Sequence, residues 1–446
     1  MSRLIDELVR RVLLGGRLRA IEAKRRLYDE VGDDAARIRR YQLDRFNEVW
    51  QDAYTRLPFY RWWRAEHGLP ERITALDELR RFPPLTKADL RRHSDLVFEG
   101  LTDYTLISTG GTSGITTRFP TSRVEADAAY ANSYLGRGWW GIEPLDRILM
   151  LWGHSHLFGQ GAGRHLRRLK RDLSDWLIHT RRISSYALSP ANVAEFVERI
   201  KAFRPEVIIS YTSNVFQVCK YLESKGIEFD PRQLRCVILT SESVTDADAE
   251  LITRRLHVPV VQEYGMVESG PIAYSHPREN RLKVFWDSFI VGIDDERLYL
   301  STIGPRLFPL IRYDSEDIAT TDAPQQDSIL VLNKITGKAR HILDIPCANG
   351  ETIQVSTFFF DHILKYYQDI YSIHFRQKHP GIAILLTSDV PLDLMAIRAY
   401  LAKEALREYP QLRMDRIEIA QLDQAPKTLA GKNQTLLSDT PSKPEA

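Results

Sequence analysis

The sequence predicts an α/β protein. A large N-terminal domain has parallel sheets covered by helices plus a small antiparallel barrel-like subdomain, and a small α+β C-terminal domain follows. Three observations lead there. Between Ser189 and Val261, short apolar runs alternate with amphipathic helical segments, the grammar of β-α-β-α-β. After residue 280 the pattern changes to short strands separated by turn residues, as in an antiparallel sheet. From about residue 336 a further set of helices and strands begins, of about 100 residues, the size of a small compact unit.

Residues 1 to about 95 read as mostly helical, with Leu4, Ile5, Leu8, Val12 and Leu13 at helical spacing. Ser189-Pro190 reads as an N-cap and first-turn proline, and Val193, Phe196, Val197, Ile200 and Phe203 then mark one buried helix face that Pro205 ends. Val207-Ile208-Ile209 is a strand covered on both faces. A helix from about Val215 to Glu223 closes at Gly226; Cys236–Leu239, a helix over about Asp246–Leu256 and Val258–Val261 complete the run. Val284-Phe285-Trp286, Leu298-Tyr299-Leu300, Leu310–Tyr313 and Ile329–Leu332 are the antiparallel strands. The last unit carries a helix near 357–367, strands near 370–376 and 382–387, a helix near 392–408 and a strand near 416–420. The expected divisions are 1–335, 336–437 and a polar disordered tail, 438–446.

Lys and Arg number 61 and Asp and Glu 59, so the net charge of +2 excludes a strongly basic coat protein, and no nucleic-acid partner is expected. Hydrophobic residues at 43% and charged residues at 27% are ordinary for a soluble globular chain. The three cysteines, Cys219, Cys236 and Cys347, are scattered, which favours a reducing, cytoplasmic setting over a disulfide framework. The first twenty residues carry charges through their apolar stretch, unlike a signal peptide, and no apolar run of about 18 residues suits a membrane span. Arg-rich residues 1–45 and Arg164–Arg171 read as solvated helix faces, with an anionic surface as the alternative.

Ligands of parallel sheets bind beyond the carboxyl ends of the strands. Tyr211-Thr212-Ser213, Ser241-Glu242-Ser243 and Glu263–Glu268 follow the apolar strands and are therefore site candidates. Ser108-Thr109-Gly110-Gly111-Thr112-Ser113-Gly114 supplies glycines that bend tightly and hydroxyls and N–H groups that suit a polyphosphate. It lacks the spacing and lysine of the NTPase P-loop. In the segment Glu263–Gly270, Tyr264 can stack on a flat base and Glu268 can hold Mg²⁺. In Pro309–Asp317 an Asp after a strand can accept hydrogen bonds from both ribose hydroxyls. Pro426–Lys432 presents a lysine after a glycine. Taken singly, each is as readily an ordinary loop or turn.

Together, in this order, the four motifs resemble the adenylate-forming superfamily of acyl-CoA synthetases, adenylation domains and luciferases. They are most similar to its phenylacetate–CoA ligase branch and that branch's capsule-biosynthesis relatives. The resemblance spans nearly the whole chain and includes Leu57-Pro58-Phe59-Tyr60, Phe82-Pro83-Pro84-Leu85-Thr86-Lys87, Pro205–Gly226 and Ser241-Glu242. It implies an ATP- and Mg²⁺-dependent ligase. A carboxylate attacks the α-phosphate to give an acyl-adenylate and pyrophosphate, and CoA thiol (the family default) or an amine then displaces AMP. It implies that the loop Ser108–Gly114 binds nucleotide, with Thr109–Gly114 at the β- and γ-phosphates, and that Ser241, Glu242 and Ser243 line the nucleotide pocket. Tyr264 would pack on adenine, flanked by Gly265 and Met266, Glu268 would ligate Mg²⁺, and Asp317 would hold the ribose. Lys432 would bridge the carboxylate and the α-phosphate from a C-terminal domain rotating about a hinge near Lys334–Arg340. Trp152, His154, His156, Phe158 and Tyr211 would belong to the acyl pocket.

There are departures. Ile115 stands where the family's loop often has a lysine, with Arg118 as a substitute; Tyr313-Asp314-Ser315-Glu316-Asp317 replaces Tyr-Arg-Thr-Gly-Asp. Gly337-Lys338-Ala339-Arg340 replaces Gly-Arg-x-Asp, so the hinge acid is absent and Lys338 replaces an Arg that often reaches the ribose. An amide-forming ligase with an amine acceptor is therefore the close rival, a catalytically silent nucleotide-binding protein the reading from another class, and a homodimer is compatible with either. His154 and His156 share a strand face but lack a third metal ligand in sequence, and Leu157 stands where a nucleophile elbow needs its second glycine.

Overall fold

A computed structural model of the chain describes residues 3–108, 117–152, 164–184, 193–230, 233–279, 281–322, 328–338, 342–347, 350–364, 369–370, 372–388, 390–426 and 434–437. The N-terminal part is helical, as its periodicity predicts: α1 (Arg3–Leu8), a π turn (Val9–Leu13), α2 (Gly15–Val31), α3 (Ala35–Arg56), α4 (Pro58–His67), α5 (Lys87–Arg92) and α6 (Ser94–Phe98). Asp34 caps α3 by accepting from the amides of Ala36 and Arg37 at 3.0 and 3.1 Å. The apolar face near the start differs from expectation: Leu8, Val12 and Leu13 are exposed, whereas Val9 and Leu14 are buried against Leu145. Trp50, Phe59, Tyr60, Trp63 and Phe82 form a packed aromatic core with Phe308 and Tyr313. The Tyr60 hydroxyl donates to the Pro309 carbonyl inside that core, so the helical part is fastened to the segment entering the candidate site.

Strands β1 (Thr105–Ser108) and β2 (Arg118–Thr121) pair antiparallel with Ser108 opposite Arg118, so the glycine-rich segment joins the strands of a hairpin. α7 (Arg123–Gly138), β3 (Ile148–Trp152), α8 (Arg164–Leu177), β4 (Thr180–Ser184), α9 (Val193–Phe203), β5 (Val207–Ser210), α10 (Thr212–Ser224), β6 (Cys236–Thr240), α11 (Asp246–Leu256), β7 (Val260–Met266), β8 (Gly270–His276) and β9 (Arg281–Val284) follow. Then come β10 (Phe289–Asp294), β11 (Arg297–Thr302), β12 (Tyr313–Thr320), β13 (Val331–Leu332) and β14 (Lys334–Lys338). One eight-stranded sheet runs β13-β9-β8-β7-β6-β5-β3-β4, parallel from β7 to β4 and antiparallel beyond β7. Its central strands are buried on both faces by alternation. Ile208, Val237 and Leu239 meet α9–α11, while Ile209, Cys236 and Ile238 meet Ala131 and Leu135 of α7. A second, antiparallel sheet has the order β10-β11-β12-β14.

The last part contains the hairpin β15 (Ile342–Pro346) and β16 (Thr352–Ser356), then α12 (Thr357–Leu364), β17 (Ser372–Lys378), β18 (Gly381–Thr387), α13 (Leu394–Glu408), β19 (Ile417–Leu422) and β20 (Leu436–Leu437). The sheet order is β19-β18-β17-β20, and Phe360, Leu364, Ile384, Leu386, Ile397 and Leu401 fill its core. Inside it His374 is fully buried. Its Nε2 lies 2.8 Å from the Ser372 hydroxyl, and its Nδ1 lies 2.8 Å from the Gln434 carbonyl. That carbonyl can only accept, so Nδ1 carries a hydrogen. Burial pushes the His374 imidazole down to about 4. The unfolded chain therefore takes up a proton near pH 6.5 that the folded chain refuses until about pH 4. Stability should fall as pH drops through that window, by up to ~3 kcal/mol. Urea midpoints between pH 7 and 4 test this, and His374→Leu should flatten that part of the profile.

Several expected strands have shifted bounds. β7 starts after Pro259 and runs on through Met266, because β8 returns alongside it. Leu310–Arg312 is not strand. Leu310 is taken by Thr302 and Arg312 by Leu85, with Arg312 at φ +45°, and β12 begins only at Tyr313. Phe285 and Trp286 turn into the core beyond β9. Ser189 and Pro190 lie outside the described residues.

Candidate active site

The site is assembled from four distant stretches of sequence. Glu268 sits in the tight connection between β7 and β8. Gly265 makes that connection compact, since a Cβ there would lie 2.7 Å from the Gly270 carbonyl oxygen, and Gly270 itself has φ +74°. Gly265→Ala should therefore cost about 1–3 kcal/mol of stability, read from a denaturant midpoint. Glu268 is 4% exposed, and its Oε1 accepts from the Tyr313 hydroxyl at 2.7 Å. Burial, reinforced by that carboxylate, holds the Tyr313 hydroxyl protonated far above the ordinary tyrosine range. Lys87, at the start of α5, brings Nζ to 3.5 Å from the same oxygen and 3.2 Å from Glu316.

Local chemistry explains why Lys87 arrives there. Thr86 and Asp89 form a capping box that starts α5. Leu85 is stitched to the start of β12 by Leu85 N to Arg312 O at 3.1 Å and Asp314 N to Leu85 O at 2.9 Å. One turn further along α5, Arg91 donates to the Thr117 hydroxyl at 2.8 Å, next to the end of the glycine-rich segment. The helix thus ties that hairpin to the Glu268 turn.

Beside this cluster, on the same two strands, the Tyr264 hydroxyl donates to Asp317 Oδ2 at 2.8 Å. Both are buried, and burial together with Asp317 keeps the Tyr264 hydroxyl protonated. Asp317 lies within β12 rather than after a strand, in register with Lys338 of β14. Glu263 is raised above the usual carboxylate range by burial, tempered by Arg137 and the Thr240 hydroxyl. Ser241, at φ +67°, stands exposed after β6, whereas Glu242 accepts from the amide and hydroxyl of Ser213 at 2.8 and 3.1 Å and so caps α10. Tyr211 is buried at the start of α10.

Thus Glu268, Tyr264, Gly265, Met266 and Asp317 come together, with Ser241–Ser243 at the end of the neighbouring strand. Ser108 ends β1, Trp152 ends β3 and Lys338 ends β14. Thr109–Gly114, His154, His156, Phe158 and Lys432 lie outside the described residues, as do Ala339 and Arg340 of the expected hinge, whose first five residues form β14. Pro426 and Gln434, which bracket Lys432, are joined by Gln434 N to Pro426 O at 2.9 Å. Sequence reasoning missed Lys87, Tyr313 and Arg306. For Lys87 a signal existed in the Thr86-Lys87-Ala88-Asp89 capping box.

No family model matches the chain. It is 24% identical over 359 residues to the phenylacetate-coenzyme A ligase of Pseudomonas putida, covering 76% of this chain and 78% of that one. The enzyme of the same name from Escherichia coli K12 is likewise 24% identical, over 73% of this chain and 77% of its own. Among solved structures, 2-hydroxyisobutyryl-CoA ligase in its postadenylation state has the same fold: TM-score 0.67, 16% identity, 91% of this chain and 90% of that one. The chain is a relative of the phenylacetate–CoA ligases, built on the adenylate-forming fold. It is an enzyme of the adenylate-forming ligase type. Protein CapK of Staphylococcus aureus is a more partial match, 19% identical over 54% of this chain and 53% of its own. The 2-hydroxyisobutyryl-CoA ligase in its thioesterification state superposes on this adenylate-forming chain less closely, with a TM-score of 0.54.

The donors suit a metal carried on a nucleotide. Magnesium commonly takes one or two carboxylates and completes its shell with phosphates and water. Glu268 offers one buried carboxylate, and no group of three or more His, Cys, Asp or Glu among the described residues could cage an ion unaided. No helix among the described residues is long and apolar enough to cross a membrane.

Proposed function

We propose that the protein is an ATP-dependent carboxylate ligase that forms an acyl-adenylate and passes the acyl group to the thiol of CoA. The observation that carries this is the convergence at one sheet end of Glu268, Lys87 and Tyr313 with the Tyr264–Asp317 pair. In this reading Asp317 takes the ribose, Tyr264 flanks adenine, and Lys87 reaches the phosphates beside Glu268. Mg²⁺ bound at Glu268 would neutralise phosphate charge. CoA is taken as the acyl acceptor because the two phenylacetate-coenzyme A ligases and the 2-hydroxyisobutyryl-CoA ligase named above are CoA ligases. The missing hinge acid keeps an amine as the rival acceptor. The large part is 1–335 and the lid 336–437, with Lys432 carried on the lid.

The test is exchange of labelled pyrophosphate into ATP, screened over aliphatic and aromatic acids. Exchange with at least one acid, lost on adding EDTA, is expected. ATP binding without exchange for any acid would favour a silent nucleotide binder. Supplying CoA or amines and weighing the products then decides the acceptor.

A further inference from the structure

One buried ion pair near the site has no part in the reading above. Glu125, in the first turn of α7, has a side chain only 5% exposed, and the Arg306 side chain is 11% exposed. Arg306 Nη1 lies 2.9 Å from Glu125 Oε2, and the Leu307 amide donates to Glu125 Oε1 at 2.9 Å. The Ser122 hydroxyl adds a bond to the same carboxylate at 3.3 Å. The other end of the guanidinium is what matters. Its Nη2 donates to the main-chain carbonyl of Glu268. A planar fork can serve both partners at once, which a lysine ammonium on a flexible stem cannot do with the same geometry. Removing two charges from water is costly, so such a pair is a poor device for stability alone.

The placement of its two ends is specific. Glu125 opens the helix that follows β2 directly, and β2 is the strand that leaves the glycine-rich segment. Glu268 is the acid of the β7–β8 turn. Tyr313 and Lys87 already fix the Glu268 carboxylate; Arg306 fixes its backbone. We propose that Arg306 is a positioning residue for Glu268, held in turn by Glu125, and that the pair aligns the acid with the β1–β2 hairpin. This rests on Glu268 serving the metal–nucleotide complex. Groups that orient a metal ligand from behind commonly change metal affinity by roughly 10–100-fold when removed.

The test is calorimetric titration of ATP into the full-length protein across a range of Mg²⁺ concentrations, with ATP alone as reference. Arg306→Met leaves Glu125 buried without its partner and can unfold the chain. The double variant Glu125→Gln/Arg306→Met removes both charges, and Arg306→Lys keeps the ion pair but not the fork. Both should need roughly tenfold more Mg²⁺ to reach half of the metal-induced gain in ATP affinity, with metal-free ATP binding unchanged. A merely structural pair would weaken binding with and without metal alike. Wild-type Mg²⁺ dependence in both variants overturns the proposal. Glu268→Gln separates the two readings. If it leaves the metal titration unmoved, the role of Glu268 itself fails. If it shifts the titration while the Arg306 variants do not, only the positioning role fails.

Discussion

Lys432→Ala should slow pyrophosphate exchange by about 10²–10³-fold while ATP still binds, the scale seen when one donor to developing charge is removed. The reasoning begins with charge. An incoming carboxylate and an α-phosphate are both anionic, so their approach needs a cation placed between them. Lys87 faces Glu268 and Glu316 in the folded chain. Lys432 is the cation that the family pattern assigns to the reacting oxygens. The chain on either side of it is well anchored. Gln434 is bonded to Pro426 and to the buried His374, and Leu436 pairs with Phe375 of β17. Such a base fixes where the segment starts and ends, as a group that acts in one half-reaction requires. Exchange rates and calorimetric ATP affinity, measured on the same preparation, check the expectation. Near-normal exchange would remove Lys432 from the chemistry. The second half-reaction, started from a supplied acyl-adenylate, should be slowed far less, because the carboxylate charge that Lys432 offsets against the α-phosphate is by then taken up in the acyl–phosphate bond.

The parallel sheet was readable because its strands are covered on both faces. Val207–Ile209 and Cys236–Leu239 are unbroken apolar runs, and only burial on two sides selects for that. β8 was not read, because Gly270-Pro271 looks like a strand terminator. The tertiary contact with β7 overrides that local preference. The candidate acid and the Tyr264–Asp317 pair were legible as residues in motifs, but their mutual hydrogen bond was not, since 53 positions separate them in sequence. Lys87 and Arg306 were least legible. The capping box places Lys87 at a helix start but does not say that it faces the Glu268 carboxylate, and an arginine in a loop gives no local sign that it bridges the Glu125 carboxylate and the Glu268 main chain. Tyr60 and Phe82 show the same limit. In sequence they belong only to segments that carry the family resemblance, and the structure shows them packing the core against which Tyr313 is set.

Glu268→Ala should be the most damaging substitution among the described residues, and its effects should separate into two parts. The first is stability. The Tyr313 hydroxyl and the Lys87 ammonium both meet Oε1, and truncation strands a buried donor, at a cost of about 1–3 kcal/mol. Glu268→Gln keeps the shape and one acceptor, so its denaturant midpoint should stay close to that of the native chain. The second part is catalytic and should appear in both variants, as exchange reduced by about a hundredfold at low Mg²⁺. If the carboxylate serves only to hold Tyr313 and Lys87, glutamine will restore exchange along with stability, and the metal-binding role is lost. Lys87→Met tests the remaining member of the cluster. If its ammonium merely balances Glu268 and Glu316, neutralising Glu268 as well should rescue the loss. If it reaches the phosphates, ATP affinity should fall by the same factor in native and Glu268→Gln backgrounds, a factor of roughly ten for one charge-assisted contact.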